Sequence, residues 1–174
     1  MPKSFVPFGR FFSTMALISA VAWSAPAWAG TGTGSFQVSA TVISSCTVSG
    51  TTLSFGTSID PLASAVPVDA TSTMTVQCTN TTPYTLALTA GINAGGASLF
   101  SARAMKSGVH LLPYQLYLDV ARSSVWGDGT SSSLTQSGTG SGGSQSVTIY
   151  GRLPSLTGII PGAYTDTVTV TISY

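Results

Sequence analysis

The chain has 174 residues, of which 43% are hydrophobic and only 6% carry a charged side chain, and its formal net charge at pH 7 is +1. So few Lys and Arg residues exclude the basic stripe with which a nucleic-acid-binding protein neutralises phosphates. A surface with few charges is poorly protected against association. We therefore expect other protein subunits to cover much of this surface.

The N-terminal residues have the pattern of an export signal. Lys3 and Arg10 precede an apolar run, 11–23, and the small-residue motif Ala27-Trp28-Ala29 follows. A secretory signal peptide requires these three features, and the run is too short and too interrupted to span a bilayer. We expect residues 1–29 to be a signal peptide and residues 30–174 to be exported. The remaining 145 residues are the size of one domain and contain five Asp and no Glu.

Cys46 and Cys78 are the two cysteines of the chain. In an oxidising compartment such a pair normally forms a disulfide, and there is only one possible pairing. Both cysteines are in phase with inward-facing apolar residues, so the bond would join two early strands. Closing a loop of this size stabilises the fold by roughly 3 to 4 kcal/mol in the chain-entropy model. A metal site needs more ligands than these and the lone His110, so no metal and no cofactor are expected.

Hydrophobic and polar residues alternate along most of the chain, with Gly, Pro, Asn and Asp between the alternating runs, which predicts an all-β fold. Strands are expected at 40–48, 52–56, 73–78, 84–90, 114–120, 146–153 and 164–174, with a shorter one near 99–105. Many short strands in a chain of this length are typical of an immunoglobulin-like sandwich of two sheets. The Gly/Ser/Thr-rich stretch 130–144 is predicted to be a mobile loop.

The last predicted strand has one apolar face and one face of Thr and Ser. Its apolar face consists of Tyr164, Val168, Val170, Ile172 and Tyr174. No closing strand follows, so the strand would leave unpaired backbone groups beside a row of apolar side chains. We interpret this face as the acceptor edge of an incomplete sandwich that lacks its final strand. The alternative is that an earlier strand of the same sandwich covers it.

Near the other end, apolar residues alternate with polar ones from Phe36 to Val48. These thirteen residues would extend about 43 Å, whereas a strand of a small sandwich covers about 17 to 20 Å. We expect residues 30–41 to be a donor strand and residues 42–174 to be the domain, so that subunits join head to tail by β-augmentation. The donor face is predicted to consist of Phe36, Val38, Ala40 and Val42. An odd face that includes Ile43 and a disordered tail remain alternatives.

Three motifs resemble one known family. They are Tyr114-Gln115-Leu116-Tyr117-Leu118-Asp119 followed by Arg122 and Trp126-Gly127-Asp128-Gly129, the C-terminal run 162–170, and an alternating segment that leads into Cys46-Thr47-Val48. Together they resemble the spore coat protein U domain family, which includes the major pilins of archaic chaperone-usher pili of the Csu type. The resemblance covers essentially all of residues 30–174.

The resemblance implies a periplasmic chaperone that lends a strand to the subunit and an outer-membrane usher. It also implies exchange of the chaperone strand for the N-terminal segment of an incoming copy, which gives a head-to-tail homopolymer. Such a protein passes through the periplasm to a cell-surface fimbrium that supports adhesion and biofilm formation. Because the family also contains spore-coat and other secreted members, a coat or cell-surface structural protein remains an alternative.

An enzyme finds little support in the sequence. The chain has no Glu and no Gly-x-Ser-x-Gly motif, and His110 has no carboxylate partner by spacing. Asp119 is expected to pair with Arg122 at the surface, and Asp128 is typical of a turn. We therefore predict that this protein is not an enzyme.

A carbohydrate-binding module is the other alternative. Trp126, Tyr114 and Tyr117 could form an aromatic platform for a sugar. We favour a packing role instead, in which Trp126 covers a hairpin corner.

Overall fold

The computed structural model describes residues 28–174. The described residues divide into two units, 28–40 and 41–174. Residues 28–40, the described part of the first unit, have no regular secondary structure and are exposed to solvent. The predicted export signal lies outside the described residues, apart from Trp28 and Ala29. No helix in residues 28–174 combines the length and the apolar composition needed to cross a membrane.

The regular structure of the second unit, which is described in full, consists of nine β-strands with antiparallel pairings and one short 3-10 turn, and the rest of the unit is turns and irregular chain. The strands are β1 (Cys46–Ser49), β2 (Val68–Cys78), β3 (Pro83–Leu88), β4 (Ala104–Ser107), β5 (His110–Pro113), β6 (Gln115–Tyr117), β7 (Gln136–Thr139), β8 (Ser144–Leu153) and β9 (Val170–Ser173). One sheet has the order β1-β2-β8-β6, a second has the order β7-β3-β9, and β4 and β5 form a hairpin. The fold is an all-β, immunoglobulin-like sandwich, as the alternating sequence predicts.

The core lies between the inner faces of the two larger sheets. In β2, Met74, Val76 and Cys78 are buried while the intervening Thr75 and Gln77 are exposed. This period of two follows from the pleat of a strand, which sends successive side chains to opposite faces. In β3, Leu86 and Leu88 are buried in the same core.

The predicted disulfide between Cys46 and Cys78 is confirmed. The two residues lie directly opposite each other in the antiparallel pair of β1 and β2. The bond therefore fastens the short edge strand β1 to the longest strand of its sheet.

The prediction of a mobile loop at 130–144 is wrong. Residues 136–139 form β7, which pairs with β3 from Pro83 to Leu86. Gly138 lies under the ring of Tyr84, so closely that any Cβ at this position would clash with that ring. The stretch contributes no apolar alternation of its own because β7 is a polar edge strand, and pairing with β3 orders it.

Several predicted strand bounds also differ from the structure. Residues 52–56 are not a strand, although Leu53 and Phe55 pack against the core. Of the predicted strand 40–48 only the part from Cys46 onward is regular, and 99–105 contains a 3-10 turn, Phe100–Ala102, before β4. The apolar period alone cannot distinguish a hydrogen-bonded strand from an extended segment that packs on the core without ladder bonds.

The expected ion pair of Asp119 with Arg122 is absent from the described residues. Arg122 instead lies 3.2 Å from Asp69 of β2, which also accepts a 2.8 Å bond from Arg152. Asp119 accepts hydrogen bonds from the backbone N–H groups of Ser123 and Ser124. These bonds hold the pKa of the Asp119 carboxyl below its usual value.

Candidate functional site

An open groove with a volume of about 790 Å³ runs along one side of the second unit. One wall is the segment 50–59 that follows β1, and the other is the chain from Ile160 to Val170 that leads into β9. Buried core residues form the floor of the groove; they are Met74, Leu88, Leu112, Leu116 and Ile149. The groove therefore opens directly onto the hydrophobic core.

One wall of the groove is a free strand edge. β9 is the last strand of its sheet and pairs with β3 on one side only. Thr165 exchanges backbone hydrogen bonds with Lys106, and the carbonyls of Thr167 and Thr169 accept bonds from the chain that follows β3. In an antiparallel ladder the next residues direct their backbone groups to the other side. Within residues 28–174 the backbone N–H and C=O groups of Asp166 and Val168 make no hydrogen bond.

The side chains of this wall alternate as the sequence predicts. One row of side chains faces the core and is partly buried, and the Thr and Ser residues between them are exposed. We call this row the inner row; it consists of Tyr164, Asp166, Val168, Val170 and Ile172. Tyr174, which is 60% exposed, does not belong to this row. Whether the row accepts a strand stays a prediction.

The sequence pattern predicts only apolar residues in this row, whereas the structure also places Asp166 in it. Its Oδ2 accepts a 2.6 Å hydrogen bond from the Tyr114 hydroxyl, and its Oδ1 accepts a 2.8 Å bond from Asn93 Nδ2. Burial and this hydrogen bond raise the pKa of Tyr114 far above its ordinary value. Gly91, with φ of +98°, packs against the Asp166 carboxylate so closely that no side chain fits there.

Behind this carboxylate lies a buried arginine. Arg103 is 1% exposed; it donates 2.8 Å bonds to the Gln115 side chain and to the Thr89 carbonyl, and its guanidinium lies over the Phe100 ring. Burial lowers the pKa of Arg103 to about 10. The local sequence gives no signal for this role of Arg103, because its partners lie 12 and 14 residues away in the chain.

The residues of the predicted donor face are exposed. Phe36, Val38 and Val42 are 87%, 81% and 89% exposed, and Ala40 between them is exposed as well. Large apolar side chains at this level of exposure, three in seven residues, are unusual for a surface that has no partner. Their role as a donor face is a prediction that the fold of the single chain does not test.

The spore coat protein U domain model matches residues 32–171. The chain belongs to the spore coat protein U domain family. It is 35% identical to Protein U of Myxococcus xanthus over an alignment of 171 residues, which covers 91% of this chain and 93% of that protein.

The fold of this family member is shared with a solved pilus structure. The match is to a chain of the crystal structure of the CsuC-CsuE chaperone-tip adhesion subunit pre-assembly complex from archaic chaperone-usher Csu pili of Acinetobacter baumannii, with a TM-score of 0.55 and 25% identity. It covers 77% of this chain but only 40% of that chain. The family and the fold are those of structural, pilin-like subunits.

Of the three aromatic side chains considered for a sugar platform, two are buried and the third, Tyr117, is partly buried. Trp126 is fully buried, where its Nε1 donates to the Leu86 carbonyl at 3.2 Å, and Tyr114 is 7% exposed. Trp126 therefore packs in the core, deeper than the predicted hairpin corner. In residues 28–174 no three His, Cys or Asp side chains come together as metal ligands.

Proposed function

We propose that this protein is the structural subunit of an exported surface fibre, and that each copy fills its groove with a strand donated by residues 30–41 of the next copy. The observation that carries this proposal is the groove, which opens onto the core beside the free backbone edge of the segment that leads into β9. A strand inserted there would pair with the free backbone groups and cover the core. Such β-augmentation combines main-chain hydrogen bonds with side-chain pockets.

The donor segment and the groove match in length and character. The wall from Tyr164 to Val170 has seven residues, about 23 Å at roughly 3.3 Å per residue, and Phe36 to Val42 is also seven residues long. Among the described lining residues the only charged side chain is Asp166. At most positions of the groove, an apolar strand can therefore enter without removing a charged group from water.

The energy of insertion comes mainly from burial. Phe36, Val38 and Val42 are exposed in the single chain, and burying each would contribute about 1.5 to 3 kcal/mol. Ladder hydrogen bonds to the free backbone groups of Asp166 and Val168 add to this. The inserted segment supplies the apolar face that is buried, and it also links one copy to the domain of the next.

Two further partners follow from the proposal. An uncovered groove would expose the core during export, so a periplasmic chaperone that lends a strand would protect it until assembly. The solved complex of a chaperone with a tip adhesion subunit, whose fold this chain shares, supports such a partner. An outer-membrane usher would then exchange the chaperone for the next copy, giving a homopolymer at the cell surface that supports adhesion and biofilm formation.

Deletion of residues 30–41 tests the proposal. We expect the exported, unsubstituted protein to form polymers that resist SDS and dissociate on heating. The deletion variant should form none, yet should still bind the chaperone, because its groove is intact. Normal polymers from the deletion variant would disprove the donor role of this segment.

A pair of neighbouring substitutions provides a matched test. Val38→Asp would place a charge on the inserted face, where burial of an unpaired carboxylate is costly, whereas Ser39→Asp would place it on the outer face. We expect the first variant to lose polymer stability and the second to retain it. Equal stability of the two polymers would show that the even face is not buried.

A coat-like assembly is the second candidate, favoured by the 35% identity to Protein U and by the spore coat family. It would use the same joint between copies. Electron microscopy of cells distinguishes the two, since a pilus projects as a thin fibre whereas a coat forms a layer.

A further inference from the structure

The side chains of the inner row of the groove wall change from apolar to charged along its length. Val168 and Val170 are apolar, and Asp166 follows them toward the Tyr164 end. The Asp166 carboxylate is held in place, since Oδ2 accepts from the buried Tyr114 hydroxyl and Oδ1 from an amide side chain. A strand laid along this wall therefore meets an apolar stretch and then a fixed carboxylate.

The free edge also restricts how a strand can pair with it. The strand pairs of both large sheets are antiparallel, and the inferred joint continues this pattern. In an antiparallel pair, residues directly opposite each other share one face of the sheet. A donated strand whose even residues face the core must therefore place them opposite the even residues of the inner row. Its register can change only in steps of two residues.

We infer that the donated strand pairs with Ala40 opposite Asp166, which places Phe36 opposite Val170 and Val38 opposite Val168. This inference rests on the proposed function and specifies the site within it. Asp166 is then the residue that determines the register of the joint between subunits.

The two neighbouring registers are less favourable because of the carboxylate. A shift of two residues in either direction would place Val38 or Val42 against Asp166. A valine there would exclude water from a charged group without supplying a hydrogen-bond donor, which is costly. Ala40 has the smallest side chain of the predicted donor face and leaves space for water at the carboxylate.

The other end of the groove favours the same register. The lining of the groove ends at Val170, and beyond it Ile172 packs against the core. In the inferred register Gly34, which has no side chain to accommodate, lies opposite Ile172. The largest donor side chain, Phe36, then occupies the last open position.

Paired cysteines on the outer face of the joint test the register. Ser39→Cys is combined in turn with Thr165→Cys, Thr167→Cys and Thr169→Cys, three exposed threonines of the same strand edge. In the inferred register residue 39 lies opposite Thr167 with Cα atoms about 4.5 Å apart, within reach of a disulfide, while the other two partners lie about 7 to 8 Å away. The polymer is assembled from full-length exported protein, oxidised, and run on a non-reducing gel.

We expect the variant with Thr167→Cys to give a covalent ladder at least about tenfold stronger than the other two. A stronger ladder from Thr165→Cys or Thr169→Cys would overturn the register while leaving the donor-strand joint intact. Polymers without a ladder in any variant would overturn antiparallel pairing along this edge. Failure of the unsubstituted protein to polymerise would disprove the proposed function itself.

Ala40→Val tests the role of the small side chain, with Ser39→Val as the matched control on the outer face. We expect Ala40→Val polymers to dissociate about tenfold faster, because the added methyl groups crowd and desolvate the carboxylate. The control should dissociate at the unsubstituted rate. Equal rates for the two variants would contradict selection of the register by Asp166.

Discussion

Truncation of Phe36 is the most direct measure of how the proposed joint is stabilised. The side chain is 87% exposed in the single chain, so nearly all of its burial would occur on insertion. A phenylalanine buries about 150 to 250 Å², worth about 4 to 6 kcal/mol at about 25 cal/mol per Å² as an upper bound. Measured Phe→Ala costs in packed sites are about 3 to 5 kcal/mol. Phe36→Ala should therefore weaken the joint by roughly a hundredfold to several thousandfold.

The dissociation rate of polymers in SDS at a series of temperatures measures this effect, with intact and dissociated species separated on a gel. Gln37→Ala is the control, because residue 37 lies on the opposite face of the same strand and should leave the rate within about twofold. A Phe36→Ala polymer as durable as the control would refute burial of the even face. A large loss in Gln37→Ala with none in Phe36→Ala would instead support the odd face.

Three further predictions follow from the described contacts. Tyr114→Phe should destabilise the domain by about 1 to 3 kcal/mol in urea unfolding, because the hydrogen bond from the Tyr114 hydroxyl to Asp166 is lost. Tyr84→Phe is the matched control, since Tyr84 is equally buried at 7% exposure; it should change stability little, and equal losses in the two variants would contradict the reasoning. Replacing both Cys46 and Cys78 by Ala should lower the free energy of unfolding by about 3 to 4 kcal/mol for a separation of 32 residues, and an unchanged urea midpoint would argue against it. Polymer dissociation should change less than about twofold between low and high salt, since the groove wall is nearly uncharged, and a steep salt dependence would indicate an ionic joint.

Local sequence explains why much of the fold could be predicted. The alternation in β2, β3 and β8 matches their buried and exposed residues because a strand has a period of two whatever its neighbours. The disulfide could be predicted because the chain offers one pairing. β7 could not, since its polar residues are ordered by pairing with residues of β3 that lie 50 to 56 positions earlier in the chain.

The groove, too, could be predicted from the sequence only in part. The sequence by itself determined an all-β chain, an alternating apolar row near the C-terminus from Tyr164 onward, and a second alternating segment near the N-terminus. Only the tertiary structure decided that Asp166 belongs to that row, because its partners Tyr114 and Asn93 lie 52 and 73 residues away. A charged residue in an alternating pattern indicates solvent unless distant donors satisfy it, and only the folded chain brings those donors into contact.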